Sequence, residues 1–310
     1  MRVLDFFFAL RPLVLVPAWS FFILGHDLVR SHPGSDASLA TSEGFPALRF
    51  ILLSAVLAAV HLFNQIADAE TDRLNAKGFF LQRGTFTPRQ YGVVATLLLT
   101  AALVLAAVAN EAPLRLAAAA ALGIIYSLPP WRLSSRPGLD VAANAIGYGA
   151  LATWLGAGAL RATDPWTARL GASMLTVAAV FLHTTLLDTQ GDRRTGKRTA
   201  AVAWGVERTR LLACLCAIAA VALAAFATAP ELLAACSGLA ILTVANTLAP
   251  RAVQEQSVSV GGTMLFALAA SVHTPAFAAG LLLLIALTRV YYAKRFALAY
   301  PALRTTKSTR

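Results

Sequence analysis

Long apolar runs separated by short polar joints recur along the whole chain. They fall at about 6–26, 47–66, 91–109, 113–129, 141–160, 167–187, 208–228 and 231–249. Roughly 20 apolar residues cross a hydrocarbon core as a helix, and most of these runs are near that length. A last region, 257–293, reads either as one span preceded by a half-helix or as two short spans split near His273-Thr274-Pro275. Inside lipid every backbone group must find its partner within the protein, which a helix achieves by itself. The pattern therefore predicts an all-α polytopic membrane protein, a bundle of about nine transmembrane helices around a central cavity. No stretch between the spans has room for a soluble domain, so residues 1–310 read as a single transmembrane domain.

The joints alternate in character. Those after the second, fourth and sixth spans are polar and basic, and those after the third, fifth and seventh are short and nearly uncharged. The segment 27–46, rich in Ser, Gly, Pro and Asp, reads as a loop on the second side. The first side carries Arg2, Arg11, Arg73, Lys77, Arg83, Arg89, Arg132, Arg136, Arg193, Arg194, Lys197, Arg198, Arg208 and Arg210. The second offers Arg30, Arg49, Arg115, Arg161 and Arg169 within the first seven spans. Excess Lys and Arg marks cytoplasmic loops, so the basic joints and the N-terminus are expected in the cytoplasm, with the protein in the cell inner membrane. The tail, with Lys294, Arg295, Arg304, Lys307 and Arg310, also prefers that side. That preference requires an even number of spans and conflicts with nine.

Composition agrees with the membrane reading: hydrophobic residues make up 58% of the chain, charged ones 13%, and mean hydropathy is +0.66. The formal charge of +11 sits in short loops, so it speaks for lipid headgroups or an anionic substrate and not for nucleic acid. Cys214, Cys216 and Cys236 lie inside apolar spans without metal or disulfide spacing and read as small core residues. Arg11-Pro12 interrupts the first run and no cleavage site follows, so the first span is expected to stay in place.

Two acidic clusters stand where the second and sixth spans end. One is Asn64-Gln65-Ile66-Ala67-Asp68-Ala69-Glu70-Thr71-Asp72, the other Asp188-Thr189-Gln190-Gly191-Asp192. In each, two aspartates are four residues apart, which on a helix stacks them on one face. Carboxylates so close repel unless a cation lies between them, and Mg²⁺ prefers such oxygen ligands. A magnesium ion held by a few carboxylates usually completes its shell with water and substrate phosphates. Each cluster runs on into bases, through Arg73, Lys77 and Arg83 or through Arg193, Arg194, Lys197 and Arg198, which suit the remaining phosphate oxygens. A third segment on the same side, Tyr126-Ser127-Leu128-Pro129-Pro130-Trp131-Arg132-Leu133, adds a phenol, a guanidinium and a rigid turn. The three joints together are expected to cap the cavity over a diphosphate.

These three motifs, in this order on one membrane side, resemble the UbiA superfamily of intramembrane prenyltransferases. The resemblance runs from about Arg11-Pro12 to Gly205, and beyond residue 210 only hydropathy continues it. It implies Mg²⁺-dependent transfer of an isoprenoid from a prenyl diphosphate to an aromatic or other electron-rich, lipophilic acceptor. It places Asn64, Asp68, Asp72, Asp188 and Asp192 on metal positions, the four aspartates being catalytic. Lys77, Tyr126, Arg132 and Lys197 fall at its substrate-binding positions. Two departures stand out: Gln65 replaces the commoner Asp, and Phe79-Phe80 stands where Arg-Pro often follows the first motif. Lys77 or Arg83 would then supply the missing phosphate contact.

Other readings share the same residues. A terpene cyclase of this fold would ionise the same donor without an acceptor, and a transporter would also place charges inside a bundle. His61 and His183 read as core histidines. Asp140, Asn144 and Tyr148, one turn apart, fit either the cavity wall or helix–helix hydrogen bonding.

Overall fold

In the computed structural model, residues 2–30, 44–75, 77–158 and 164–301 are described, so most of the 27–46 loop, Arg161 and the end of the basic tail lie outside them. Among the described residues every regular element is helical. Helix α1 (Arg2–Ala9) and a tight turn (Pro12–Leu15) lead into α2 (Val16–Arg30). Then come α3 (Ala47–Ala67), the short α4 (Ala69–Leu74) and α5 (Phe79–Gln82), α6 (Pro88–Val108) and α7 (Pro113–Ser127). Next is a bent rod: α8 (Leu139–Asn144) widens into a π-helical stretch (Ala145–Leu151) before α9 (Ala152–Ala157). The long α10 (Asp164–Arg194), short α11 (Ala200–Trp204), α12 (Val206–Phe226), α13 (Pro230–Leu248), α14 (Glu255–Ser271) and α15 (Pro275–Phe296) complete the bundle.

Seven of the described helices are long and apolar enough to span a bilayer, the first running Val3–Asp27. Among the described residues the shorter α7, the bent α8–α9 rod and α14 run beside these seven, in keeping with a bundle of about nine membrane helices. The region 257–293 is therefore two helices, parted at residues 272–274. The last helix returns to the acidic end. There Arg295 Nε lies 3.1 Å from Asp5 Oδ1, and Tyr291 donates its hydroxyl to the same carboxylate.

Lipid supplies no hydrophobic drive between helices, so small residues that allow close approach do the packing. Helix α12 buries Thr209, Ala213, Ala217, Ala220 and Ala224 on one face. It turns Leu211, Leu215, Ile218 and Phe226 outward. Glycine serves the tightest crossing, between α2 and α9: a Cβ on Gly25 would strike the Thr153 carbonyl, and one on Gly156 the Phe22 carbonyl. Helix α6 opens on a capping box, with Thr87 Oγ1 accepting from Gln90 N at 3.2 Å and Gln90 Oε1 accepting from Thr87 N at 2.8 Å. On the end remote from the acidic motifs, Arg49 pairs with Glu111 at 2.9 Å, and Arg49 and Arg115 bond the carbonyls that close α9.

Candidate active site

The first acidic motif is a broken helix. Helix α3 ends at Ala67, Asp68 leaves helical geometry at φ −103° and ψ 12°, and α4 restarts at Ala69. The carbonyls at the break take side-chain donors: Ala67 O accepts from Arg132 Nη2 at 3.0 Å, and Ala69 O from Gln82 Nε2 at 2.7 Å. Asp68 is buried and gathers three donors. Lys197 Nζ is 2.7 Å from Oδ2, Arg132 Nη2 is 3.2 Å from Oδ1, and Asn64 Nδ2 donates to Oδ2 at 3.2 Å.

The second motif lies in the unbroken run of α10. Asp188 Oδ1 holds Lys77 Nζ at 2.5 Å. Asp192 is buried and accepts the Thr199 hydroxyl at 3.1 Å. The lysines are crossed. Each follows the second aspartate of its own motif by five residues, its backbone N–H bonded to that aspartate's carbonyl at 2.7 Å (Lys77) or 2.9 Å (Lys197). Its ammonium then reaches the first aspartate of the other motif. Two further links tie the halves: Thr71 and Thr195 share a hydrogen bond at 3.0 Å, and Asn75 Oδ1 accepts from Gly191 N at 3.2 Å.

The expected residues thus share one end of the bundle but do not converge on one point. Among the described residues no set of three or more carboxylate, histidine or cysteine side chains closes on a metal-sized site. Asn64, Asp68, Arg132 and Lys197 form one group, Asp188 and Lys77 another. Asp192 is turned to Thr199. Asp72 has no hydrogen bond or ion pair to its side chain among the described residues. Its burial raises its pKa, against the pull of Arg11 and Lys77. Tyr126 lies beside Asn144, with Asp68 nearby.

Arg11 is the cation that the sequence reading counted only for topology. Its backbone is left-handed (φ 56°), and its electrostatic neighbours are Asp72, Tyr300, Tyr292 and Tyr148. A charge inside an apolar span was the available signal. Arg11, His61, Tyr126 and Tyr148 are each half-buried, and Tyr148 is an electrostatic neighbour of both Arg11 and Tyr126. Asp140, by contrast, is structural: Oδ1 accepts from the backbone of Gly138 and Val141, and Oδ2 accepts from Ala200 N at 2.8 Å, pinning α8 to α11.

The cap has a part no motif announced. Phe79 and Phe80 pack with Tyr291, Tyr292, Phe296 and Tyr300, so the end of α15 clasps the loop that carries Lys77. Arg83 lies over the Phe296 ring at 4.8 Å, away from the carboxylates. Arg193, Arg194 and Arg198 are exposed, as topology charges would be.

Comparison with known families decides the matter: the profile of the UbiA prenyltransferase family matches residues 34–259. The chain belongs to the UbiA prenyltransferase family. It is accordingly a prenyltransferase and an integral, multi-pass membrane protein, and the transporter reading falls away. The profile extends the sequence resemblance past residue 210, through α12 and α13. Among solved structures, a UbiA homolog from Archaeoglobus fulgidus bound to GPP and Mg²⁺ is 21% identical, with TM-score 0.62, covering 85% of this chain and 96% of that one. The same homolog bound to DMAPP and Mg²⁺ gives 19% identity and TM-score 0.60 over 85% and 99%. A digeranylgeranylglyceryl phosphate synthase gives 18% and 0.58 over 89% and 98%. These likenesses establish the UbiA fold. No curated protein sequence matches the chain.

Proposed function

We propose that this UbiA-family chain, as one transmembrane domain, moves an isoprenoid from a prenyl diphosphate to a lipophilic, electron-rich acceptor at the acidic end of the bundle. The crossed pairing carries the reading: both motifs are drawn together, and each already holds a cation on its first aspartate. The donor set fits Mg²⁺. Its oxygens are hard ligands, the two ammonium groups stand in for a cation, and half-buried Asp72 has no side-chain partner among the described residues. Asn64, Asp68, Asp72 and Asp188 would hold the metal, with Asp192 behind Asp188. Bound there, Mg²⁺ would neutralise the diphosphate as the allylic C–O bond breaks. Lys77, Lys197 and Arg132 turn from carboxylates to phosphate oxygens, and Tyr126 lines the wall beside them. The apolar walls exclude water that would quench the cationic centre. Relatives captured with GPP or DMAPP and Mg²⁺ support this donor and metal class.

The test is Mg²⁺-dependent release of diphosphate from geranyl diphosphate by the purified protein; absence of release sinks the reading. Labelled donor with and without a membrane lipid extract then separates transfer from cyclisation. The charge asymmetry supports a cytoplasmic site in an inner membrane. A cysteine replacing exposed Arg136 should label only from the cytoplasm, and one replacing exposed Ala109 only from outside. Labelling of both from one side would reverse the topology.

A further inference from the structure

We infer that His61 is a catalytic residue, the base that takes the proton an acceptor sheds as it is prenylated, with Tyr148 as its positioning residue. The inference rests on the prenyl-transfer reading above. His61, Asn64 and Asp68 follow one another at i, i+3 and i+7, so they form a single stripe on α3. His61 thus lies on the face of the first acidic motif, two turns and about 10 Å deeper in the membrane than Asp68. A diphosphate held at Asp68 would run its prenyl chain toward that depth, with the allylic carbon between the two residues.

The imidazole is set up for the task. Tyr148 Oη lies 2.6 Å from His61 Nε2. Tyr148 stands in the wide π-helical turn of the facing rod, a deformation frequent at functional sites. With the hydrogen on Nε2 donated to Tyr148, Nδ1 is left as a free base. Nδ1 has no partner among the described residues and keeps accessible surface, so a base is left within reach of a ligand. A core histidine satisfied on one nitrogen would bury the other. His183 does that: its Nδ1 holds Glu255 at 2.6 Å, and its Nε2 is sealed. Of the two histidines that precede an acidic motif, only His61 keeps an unpartnered ring nitrogen unsealed.

The step balances. The donor's C–O pair leaves with the diphosphate, and the acceptor's π or lone pair bonds to the allylic carbon. The acceptor's ring or hydroxyl proton passes to Nδ1 while Nε2–H stays on Tyr148. The same residues would take the proton that a cyclising cation loses.

Two readouts separate this role from folding and from the broader reading. Geranyl diphosphate with ¹⁸O at the bridging oxygen scrambles its label when the C–O bond opens and recloses, with no acceptor needed. Radiolabelled geranyl diphosphate supplied to membranes containing the protein reports the product. His61→Gln should keep scrambling and donor KM near wild type while losing about 100-fold or more in product, the usual worth of a general base. Tyr148→Phe should show the same split at roughly tenfold, since it disturbs only the tautomer. Loss of scrambling and product in parallel, or retention of both, overturns the assignment. A wild-type protein without Mg²⁺-dependent scrambling overturns prenyl transfer itself.

Discussion

In the first acidic motif the helix breaks at Asp68, whereas the second runs through α10 without interruption, although both space their aspartates by four. The break frees the Ala67 carbonyl, which Arg132 takes up, and it lets Asp68 face donors from two other joints at once. In the continuous motif Asp188 meets one cation, and Asp192 is held by a threonine. Equal spacing therefore conceals unequal work: the broken motif is the hub, and the continuous one is the rigid wall against which it closes.

The largest expected effect tests the hub. Asp68→Asn should cut Mg²⁺-dependent diphosphate release at least a thousandfold, about 4 kcal/mol in the barrier. An amide cannot offset a divalent ion, and two cations lose their partner. Asp192→Asn should be at least tenfold milder, because its carboxylate serves Thr199 as well. Equal losses in the two variants would erase the distinction between hub and wall.

The crossed lysines come next. Each should contribute roughly 1.5–3 kcal/mol to donor binding, the range for a charged hydrogen bond. Lys197, at 12% side-chain exposure against 35% for Lys77, is the less screened and should matter more. Donor binding measured for Lys197→Ala and Lys77→Ala decides the order. A larger loss for Lys77→Ala would make the loop of the broken motif, and not the hub, the dominant phosphate contact.

Asn75 tests whether wall and hub act as a unit. It accepts from Gly191 N and reaches the Asp188 carbonyl at 3.4 Å, and a Cβ at Gly191 would overlap it. Asn75→Ala should cost about 1 kcal/mol in thermal unfolding, the usual net worth of such a bond, and a few-fold in turnover. Unchanged turnover with lowered stability would show the link to be a strut alone.

Much of this was legible in the chain. The spans, the shared membrane side of the three polar joints and the pairing of acids with bases follow from hydropathy and charge order. What the spacing could not carry is backbone state. Nothing in Ala67-Asp68-Ala69 forbids a helix; the carbonyl left open at the break is met by Arg132, a donor from another joint. Arg11 was counted with the loops because its role depends on Asp72, some sixty residues on. The choice between one span and two in 257–293 stayed open because the split at 272–274 is only three residues wide.

The smallest effect concerns the loop between hub and wall. Sequence left Lys77 and Arg83 both open as the replacement for the basic residue missing at Phe79-Phe80. In the fold Lys77 turns inward to Asp188, while Arg83 is exposed over the Phe296 ring. An exposed cation over an aromatic face is worth about 0.5–1 kcal/mol. Arg83→Ala should therefore leave the donor Michaelis constant unchanged and loosen the aromatic clasp slightly, seen as a small fall in thermal stability. Its effect on the donor should vanish against that of Lys77→Ala in the same assay. A raised Michaelis constant for Arg83→Ala, with Lys77→Ala silent, would move the phosphate contact to the clasp and make α15 part of the donor site.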